Sequence, residues 1–505
     1  MNVPVLVFWA VIAWSFTASN STVLVLLLAS TPFVSLALLP PGAIGMSLLP
    51  QSMFAVVLIL KVLSPHAMPL SSKLWEALQL RHLGFLALFL VVGAVATVIM
   101  PRLFGGEVVI VPMRDIWGAE ILSPATANFT QLGYVTLSVL TAIAVMLMAD
   151  EPNFIRTLLT SVLAGGIVTV LTGLIDIAAV ATGLEGLLTP FRNADYAYIT
   201  SAEIAGVRRV VGFTPEASSY GNICVQFLAA IALLRTLYEG RQRVWATTCA
   251  ASLGILALFS TSSTAYLGLA VLAAAYAVNW IRRAILSSSF GQSGLVVELF
   301  VGLGVADTLL VIWIINPNLF DPLVNLVNEQ IFNKPLSSSF YERSFWNTTA
   351  WNAVISTWGL GVGFGSTRTS NWFAAVVSNA GLLGAIFMAF FLIQIFLKQP
   401  IWRTPLFSEL VPALKLSLIP ALFMASVVTA GPDFGIWTGV VFGAIAGIAA
   451  LRPRHSSLAV GLDEGPLLVG ATKLGGFGKR GFGRTLAPGR RRNSGSTRPT
   501  PRPSF

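Results

Sequence analysis

Residues 84–100 read GFLALFLVVGAVATVIM, and no charged side chain interrupts them. A helix rises about 1.5 Å per residue, so an apolar run of about 20 residues crosses the roughly 30 Å hydrocarbon core of a bilayer. Strands of a membrane barrel would alternate apolar and polar residues, whereas this run is continuously apolar. The segment therefore predicts a membrane-spanning helix.

Comparable runs recur along the whole chain and predict a polytopic, all-α transmembrane bundle. Hydrophobic residues make up 55% of the 505 residues and charged residues 10%, and the mean hydropathy is +0.79. A soluble domain carries about 25% charged residues, so a soluble fold is excluded. Because the first run is short, the predicted number of membrane spans is between twelve and fourteen. The thirteen runs lie near 3–17, 21–39, 51–65, 84–100, 128–149, 156–180, 216–237, 244–261, 264–281, 294–316, 372–397, 409–429 and 433–451.

The net charge of +10 is concentrated in the C-terminal segment 452–505. This segment holds eleven Lys and Arg against two acidic residues, which gives +9 and leaves +1 for residues 1–451. The basic balance therefore does not indicate a nucleic-acid partner. We expect two parts: a transmembrane domain, 1–451, and a disordered basic cytoplasmic tail that contacts anionic membrane lipids.

Short basic loops predict the orientation, because Lys and Arg between spans stay on the cytoplasmic side. They alternate correctly with the spans and place the N-terminus outside and the C-terminus in the cytoplasm. The long loops near 101–127, 182–215 and 317–371 then all lie on the outer face. Long loops in a compact protein are commonly functional, so the working face is expected there. The residues that mark the short basic loops are Lys73, Arg81, Arg156, Arg241, Arg243, Arg282, Arg283, Lys398 and Arg403.

The second long loop ends in Arg208-Arg209-Val-Val-Gly-Phe-Thr-Pro-Glu216, directly before a predicted span. Topology does not explain two arginines on an outer face. Arginines beside a helix start can form an anion site. Glu216 has two interpretations, because a carboxylate also suits a helix N-terminus for purely structural reasons.

The third long loop carries Tyr341-Glu342-Arg343, then an aromatic amphipathic stretch that predicts an interfacial helix. The glycine-rich segment GVGFGSTR, residues 361–368, follows and ends in Arg368. Glycines permit close backbone approach, and their N–H groups can surround an anion. The alternative is that the arginines only snorkel or pair with Glu342.

Neither a metal site nor a disulfide framework is predicted. The two cysteines, Cys224 and Cys249, fall inside apolar runs and are read as core residues. Within spans, Glu298 and Asp307 could form structural pairs or a proton relay, and both interpretations stay open. Asp176 and Arg235 lie near span ends, where they could reach water.

Two motifs resemble the O-antigen and exopolysaccharide polymerase family, which is related to the O-antigen ligases. The first is Arg209-Val-Val-Gly-Phe-Thr-Pro-Glu216-Ala-Ser218. The second joins Arg343 to Gly361-Val-Gly-Phe-Gly-Ser-Thr-Arg368 and to Asn379-Ala-Gly-Leu-Leu-Gly384. Ligases of the group carry a His where this chain has Ser370, which favours a polymerase.

The resemblance implies a metal-independent, GT-C-type glycosyltransferase with no cofactor, in the inner membrane of a bacterium. It would join oligosaccharide units carried on undecaprenyl diphosphate, as donor and acceptor, on the periplasmic face. A flippase and a chain-length regulator are expected partners. Alternatives are a lipid-linked oligosaccharide flippase or other transporter, an O-antigen ligase, and a non-catalytic assembly protein.

The catalytic residues expected from this resemblance are Glu216 as base, with Arg343 and Arg368 stabilising the leaving diphosphate. Further residues are assigned to binding the diphosphate or the glycan. They are Arg208, Arg209, Tyr341, Gly363, Gly365 and Ser366.

Overall fold

The computed structural model shows a mostly helical chain with two short β-ribbons. It describes residues 2–39, 47–64, 70–113, 118–194, 198–200, 203–204, 207–286, 295–315, 338–402 and 404–451. The expected basic tail, 452–505, and the first part of the third long loop lie outside these ranges.

The longest connections between successive helices are the three long loops and residues 30–49, between the second and third helices. They are α1 (Val3–Ser15), α2 (Asn20–Ala29), α3 (Pro50–Val62), α4 (Leu70–Ala77), α5 (Gly84–Leu103), α6 (Thr126–Met148), α7 (Phe154–Ala181), α8 (Ala217–Leu233), α9 (Gly240–Phe259), α10 (Ser263–Leu286), α11 (Leu295–Ile315), α12 (Ser338–Ser356), α13 (Trp372–Leu397), α14 (Pro405–Val428) and α15 (Gly435–Ala450). The ribbons pair β1 (Val109–Ile110) with β2 (Glu120–Ile121), and β3 (Glu203–Ile204) with β4 (Val207–Arg208), both antiparallel.

Each of the thirteen predicted spans contains a helix, and within the described residues six helices are long and apolar enough to cross a membrane. These six are α5, α6, α7, α10, α13 and α14. Other helices are shorter than the sequence predicts. Helix α2 ends at Ala29, where the chain turns. The segment that follows is held by Asn193, whose side chain accepts a hydrogen bond from the N–H of Ala37 and donates one to its carbonyl. On α5, Val91, Val95 and Val98 are exposed at helical spacing, which suits a lipid-facing stripe.

Small residues allow the tightest helix contact, between α6 and α15. Gly439, Gly443 and Gly447 recur every fourth residue on α15 and face α6. A Cβ atom added at Gly443 would lie 2.3 Å from the carbonyl oxygen of Ala142. Such small-residue spacing lets helix backbones approach closely where lipid supplies no hydrophobic drive for association.

The two acidic residues of α11 lie in different environments. Glu298 pairs with Arg235 and Arg283, so the pairing interpretation fits this residue, while Asp307 is exposed. The expectation that Asp176 reaches water is wrong, because its side chain is 2% exposed and hydrogen-bonded. Cys224 and Cys249 are buried, as predicted.

The three long loops meet at one end of the bundle, which we name the loop end (residues 104–113, 118–125, 182–194, 207–216, 357–371 and 429–434). Backbone hydrogen bonds join the first and third loops, from Arg368 to Val111, and join the third loop to the α14–α15 connection, from Thr369 to Ala430. The second loop approaches the third through the charges of Glu216 and Arg368. A shared end for these loops agrees with the predicted topology.

We expect Gly443→Ala to lower the melting temperature of the protein in detergent, because the added methyl must push α15 away from α6. Overpacking of this kind costs about 1–3 kcal/mol. Gly133→Ala on α6 is the matched control, since nothing lies within 4 Å of its added Cβ. That control should be neutral or stabilising by up to about 1 kcal/mol. Equal melting temperatures for the two variants would contradict this packing.

Candidate functional site

A buried carboxylate fixes the second long loop to the bundle. Oδ2 of Asp176, near the end of α7, accepts hydrogen bonds from the N–H groups of Val211 at 2.9 Å and Gly212 at 3.1 Å. Arg192 pairs with its Oδ1 at 3.2 Å and also donates to the Gly212 carbonyl at 3.2 Å. A charge removed from water needs such compensation, so these donors make the buried position tolerable.

The anchored segment presents Arg209 and Glu216 at the start of α8. The Nε of Arg209 donates to the carbonyl of Ser260 at 3.1 Å, next to the start of α10. Glu216 is the N-cap residue of α8 and accepts a hydrogen bond from the hydroxyl of Ser218. Its carboxylate thus lies at the positive end of a helix dipole, beside a guanidinium.

The glycine-rich segment is a tightly packed turn. Gly361, Gly363 and Gly365 have φ values of 80°, 90° and 76°, a region that other residues rarely adopt. An added Cβ at Gly365 would lie 2.2 Å from the carbonyl oxygen of Ala127, and one at Gly363 would lie 2.9 Å from the Cα of Thr97. The glycines therefore let this segment pack directly on the ends of α5 and α6.

Six backbone N–H groups of this segment donate to the protein, so they do not surround an anion as expected; they belong to Gly361, Val362, Gly363, Phe364, Ser366 and Arg368. The N–H of Gly363 donates to Asn379 and that of Ser366 to Gly363. The hydroxyl of Ser366 donates to Val362 and accepts from Asn128. With Gly365 buried beside them, the predicted substrate-binding residues Gly363, Gly365 and Ser366 belong to the scaffold that holds Arg368.

Arg368 is the one residue of 361–370 that is not buried. Its guanidinium lies over the ring of Trp346, 4.5 Å from the ring centroid, and donates to the carbonyl of Met113 at 3.2 Å. A cation over an aromatic face is attracted by the ring quadrupole, which fixes this side chain against α12. The aromatic contact therefore orients the guanidinium beside the third loop.

Three arginines and two glutamates share the space between α8 and α12. The pKa of Arg368 is lowered, chiefly by burial. The carboxylates of Glu216 and Glu342 oppose this shift, whereas the neighbouring charge of Arg343 adds to it. Burial likewise lowers the pKa of Arg209, and Glu216 raises it. Glu216 therefore interacts electrostatically with both Arg209 and Arg368, and we name Arg209, Glu216, Glu342, Arg343 and Arg368 the arginine cluster.

Within the described residues, the guanidinium of Arg343 has no hydrogen bond or ion pair to the protein. Only its backbone carbonyl is used, as an acceptor for the hydroxyl of Ser370 at 3.5 Å. Three guanidinium charges against two carboxylates leave the arginine cluster one positive charge in excess. Such a group is suited to bind an anion with several oxygens.

The structure does not bring two predicted site residues into this cluster. Arg208 forms a bidentate pair with Glu185, at 2.5 and 3.2 Å, and hydrogen bonding by Arg208 lowers the pKa of Glu185. Tyr341 is 64% exposed and contacts the ring of Phe340. Arg208 is thus engaged elsewhere, and Tyr341 offers an exposed aromatic surface.

Two residues of the site, Arg192 and Trp346, are not predicted from the sequence. Arg192 lies in the second long loop, sixteen residues after Asp176. The sequence does contain a signal for this pair, namely an acidic residue near the end of a span and an arginine in the loop that follows. Trp346 was not predicted to belong to the site, although its ring orients Arg368.

Among the residues that the structure describes, no group of three or more His, Cys, Asp and Glu is arranged to hold a metal ion. No model of a known protein family matches the sequence, and no curated protein matches it either. The resemblance to polysaccharide polymerases therefore stays a prediction.

We expect Asp176→Ala to destabilise the protein by about 3–5 kcal/mol, because it leaves Arg192 without its partner in a largely buried position. Asp150→Ala is the matched control, since Asp150 pairs with Lys73 at 3.5 Å in an exposed position. Removing an exposed pair costs about 0–1 kcal/mol. The measurement is thermal unfolding in detergent, and similar losses for both variants would argue against the anchoring role.

Proposed function

We propose that this protein is a membrane glycosyltransferase that polymerises oligosaccharide units carried on undecaprenyl diphosphate, at the outer face of a bacterial inner membrane. The observation that supports this most is the arginine cluster, in which Glu216 interacts with Arg209 and Arg368, and Arg368 also interacts with Arg343. Arg209, Glu216 and Arg368 lie at the loop end, and Arg343 lies on helix α12 of the third long loop.

The arginines suit the leaving group of this reaction. When the bond between the anomeric carbon and the phosphate oxygen breaks, its electron pair leaves with the diphosphate. Guanidinium groups fixed beforehand at that position offset the developing negative charge. Arg343, whose guanidinium has no described protein partner, is the residue best placed to bind phosphate oxygens without breaking an existing bond.

Glu216 is our proposed general base. The new bond joins a hydroxyl oxygen of the acceptor sugar to the anomeric carbon, and the hydroxyl proton passes to the carboxylate of Glu216. The hydroxyl of Ser218 donates to this carboxylate and so helps to fix its direction. In this arrangement base and leaving-group stabilisers lie within one cluster.

The exposed face of α12 supports a substrate that arrives through the lipid. Tyr341, Phe345, Trp351 and Ile355 are exposed on this helix, while Trp346 and others pack inward. Aromatic side chains favour the level of the headgroups, so α12 suits a position at the membrane interface. A polyprenyl chain in the bilayer would then deliver its diphosphate beside Arg343.

The alternatives are less well supported by the geometry. A flippase would need substrate groups near the midplane of the bilayer. The carboxylate of Glu298, on the apolar helix α11, is already neutralised by Arg235 and Arg283. A ligase remains the second candidate, although Ser370 replaces the His that ligases of the group carry, and its hydroxyl bonds to Asn347.

We expect Arg343→Ala to reduce polymerisation about 30- to 1000-fold, which corresponds to a loss of about 2–4 kcal/mol of transition-state stabilisation. The measurement is the glycan profile of a host that lacks the gene and carries each variant. Arg102→Ala is the matched control, an exposed arginine at the end of α5 outside the cluster. Single repeat units should accumulate with Arg343→Ala, and long polymer should return with the control. Long polymer without any copy of the gene would refute the proposal.

Arg343→Lys should restore little polymer, because lysine lacks the planar fork that binds two phosphate oxygens. Full polymer length in that strain would remove Arg343 from its proposed role. Glu216→Gln should also fail, since an amide cannot accept the proton. Wild-type turnover by the purified Glu216→Gln protein would show that another group is the base.

A further inference from the structure

A cavity of about 210 Å³ lies among α8, α14 and α15, beside the first residue of α13. Its polar lining includes Asn222 and Gln226 of α8, together with Asp433 and Thr438, and Trp372 supplies an aromatic wall. Its size suits a single sugar ring. Polar groups are costly inside a membrane bundle, so a set of them around one cavity needs a reason.

A polar stripe joins this cavity to the arginine cluster. Ser218, Asn222 and Gln226 follow one another at every fourth residue, so they share one face of the otherwise apolar helix α8. Ser218 bonds to Glu216 at the start of the helix. The Oδ1 atom of Asn222 is buried and has no hydrogen-bond partner in the part of the chain that the structure describes. An unsatisfied buried acceptor is unfavourable and indicates that a donor outside the protein completes it.

The opposite wall is held in place by the same segment that carries Arg368. Thr369 donates its N–H to Ala430, and the indole N–H of Trp372 donates to Pro432 at 3.1 Å. Asp433 accepts hydrogen bonds from Ser138 at 2.7 Å and from the N–H of Gly435 at 3.0 Å. Burial raises the pKa of Asp433. The cavity and the cluster therefore share one support.

The lining chemistry distinguishes between possible occupants. It contains no Lys or Arg, and Asp433 contributes a carboxyl group, so a diphosphate is disfavoured. Ala421, Leu422, Met424, Ala425 and Phe434 add apolar side chains to the lining, but a polyprenyl chain would leave the two amides and the carboxyl group without hydrogen-bond partners. Amides that both donate and accept, next to a flat indole, are suited to a ligand with many hydroxyl groups.

We infer that this cavity is a subsite for one sugar ring of the acceptor glycan, with Asn222, Gln226 and Asp433 hydrogen-bonding its hydroxyl groups. The inference rests on the proposed polymerase function. It assigns the diphosphate to the arginine cluster and the acceptor sugar to the space beneath it, along one face of α8.

The first test measures elongation by purified protein in liposomes as the concentration of lipid-linked repeat units is varied. Asn222→Ala and Gln226→Ala should raise the apparent KM about tenfold to a hundredfold, because the sugar loses hydrogen bonds. High substrate should restore their rate, whereas Arg343→Ala should stay slow at every concentration. Gln242→Ala on α9, an amide outside the cavity, is the control. Unchanged kinetics in both cavity variants would overturn the inference and leave the polymerase proposal standing.

The second test measures whether a ligand occupies the cavity, and it does not rely on catalysis. Gln226→Cys should react with a membrane-impermeant methanethiosulfonate, and added lipid-linked repeat units should slow that reaction at least several-fold. Wild-type protein is the blank, because Cys224 and Cys249 are buried, and Ala229→Cys is a fully buried control. Absence of labelling would show a closed cavity, and labelling without protection would show a cavity that holds only water. Either result overturns the inference. Protection in a protein that forms no polymer would instead refute the proposed function alone.

Discussion

The buried carboxylate of Asp176 is the interaction on which the arrangement of the loop end depends. It joins α7 to the second long loop through two N–H groups and to Arg192, which in turn bonds to Gly212. Because water is excluded there, no solvent can replace a lost donor, and the loop has one favourable position. The directions of Arg209 and Glu216 follow from that position. The electrostatics of the arginine cluster are therefore set by a residue that lies outside it.

The sequence was sufficient to place a helix in each of the thirteen apolar runs, because apolar runs and their breaks are local properties of the chain. It was insufficient for the partners of individual polar groups. Arg208 and Arg209 are adjacent, yet successive side chains of extended backbone point to opposite faces, so one pairs with Glu185 and the other turns to Ser260. Likewise the spacing of Gly363 and Gly365 indicated close backbone approach, but only the folded chain shows that the approaching groups are other helices.

Two guanidinium groups of the arginine cluster are held by contacts with the protein, whereas the third is not. Arg368 is held by Trp346 and Met113, and Arg209 by Ser260. Arg343 keeps all its guanidinium donors available to a ligand among the described residues. Fixed charges lower the reorganisation needed during a reaction, while an unengaged guanidinium can bind an arriving anion without first breaking a bond. Like charges held together in this way also disfavour the empty site, so an anionic ligand relieves repulsion when it binds.

Under the proposed interfacial position of α12, the placement of Arg343 on this helix would make the bilayer part of the site's geometry. Aromatic side chains such as those exposed on this helix favour the depth of the lipid headgroups. Arg343 belongs to the same helix and would lie at a similar depth. The lipid headgroups would then set the depth of the Arg343 guanidinium, whereas contacts within the helix bundle set the positions of Arg209 and Arg368. Membrane thickness and headgroup composition would then act as allosteric variables, since they shift one part of the arginine cluster relative to the rest.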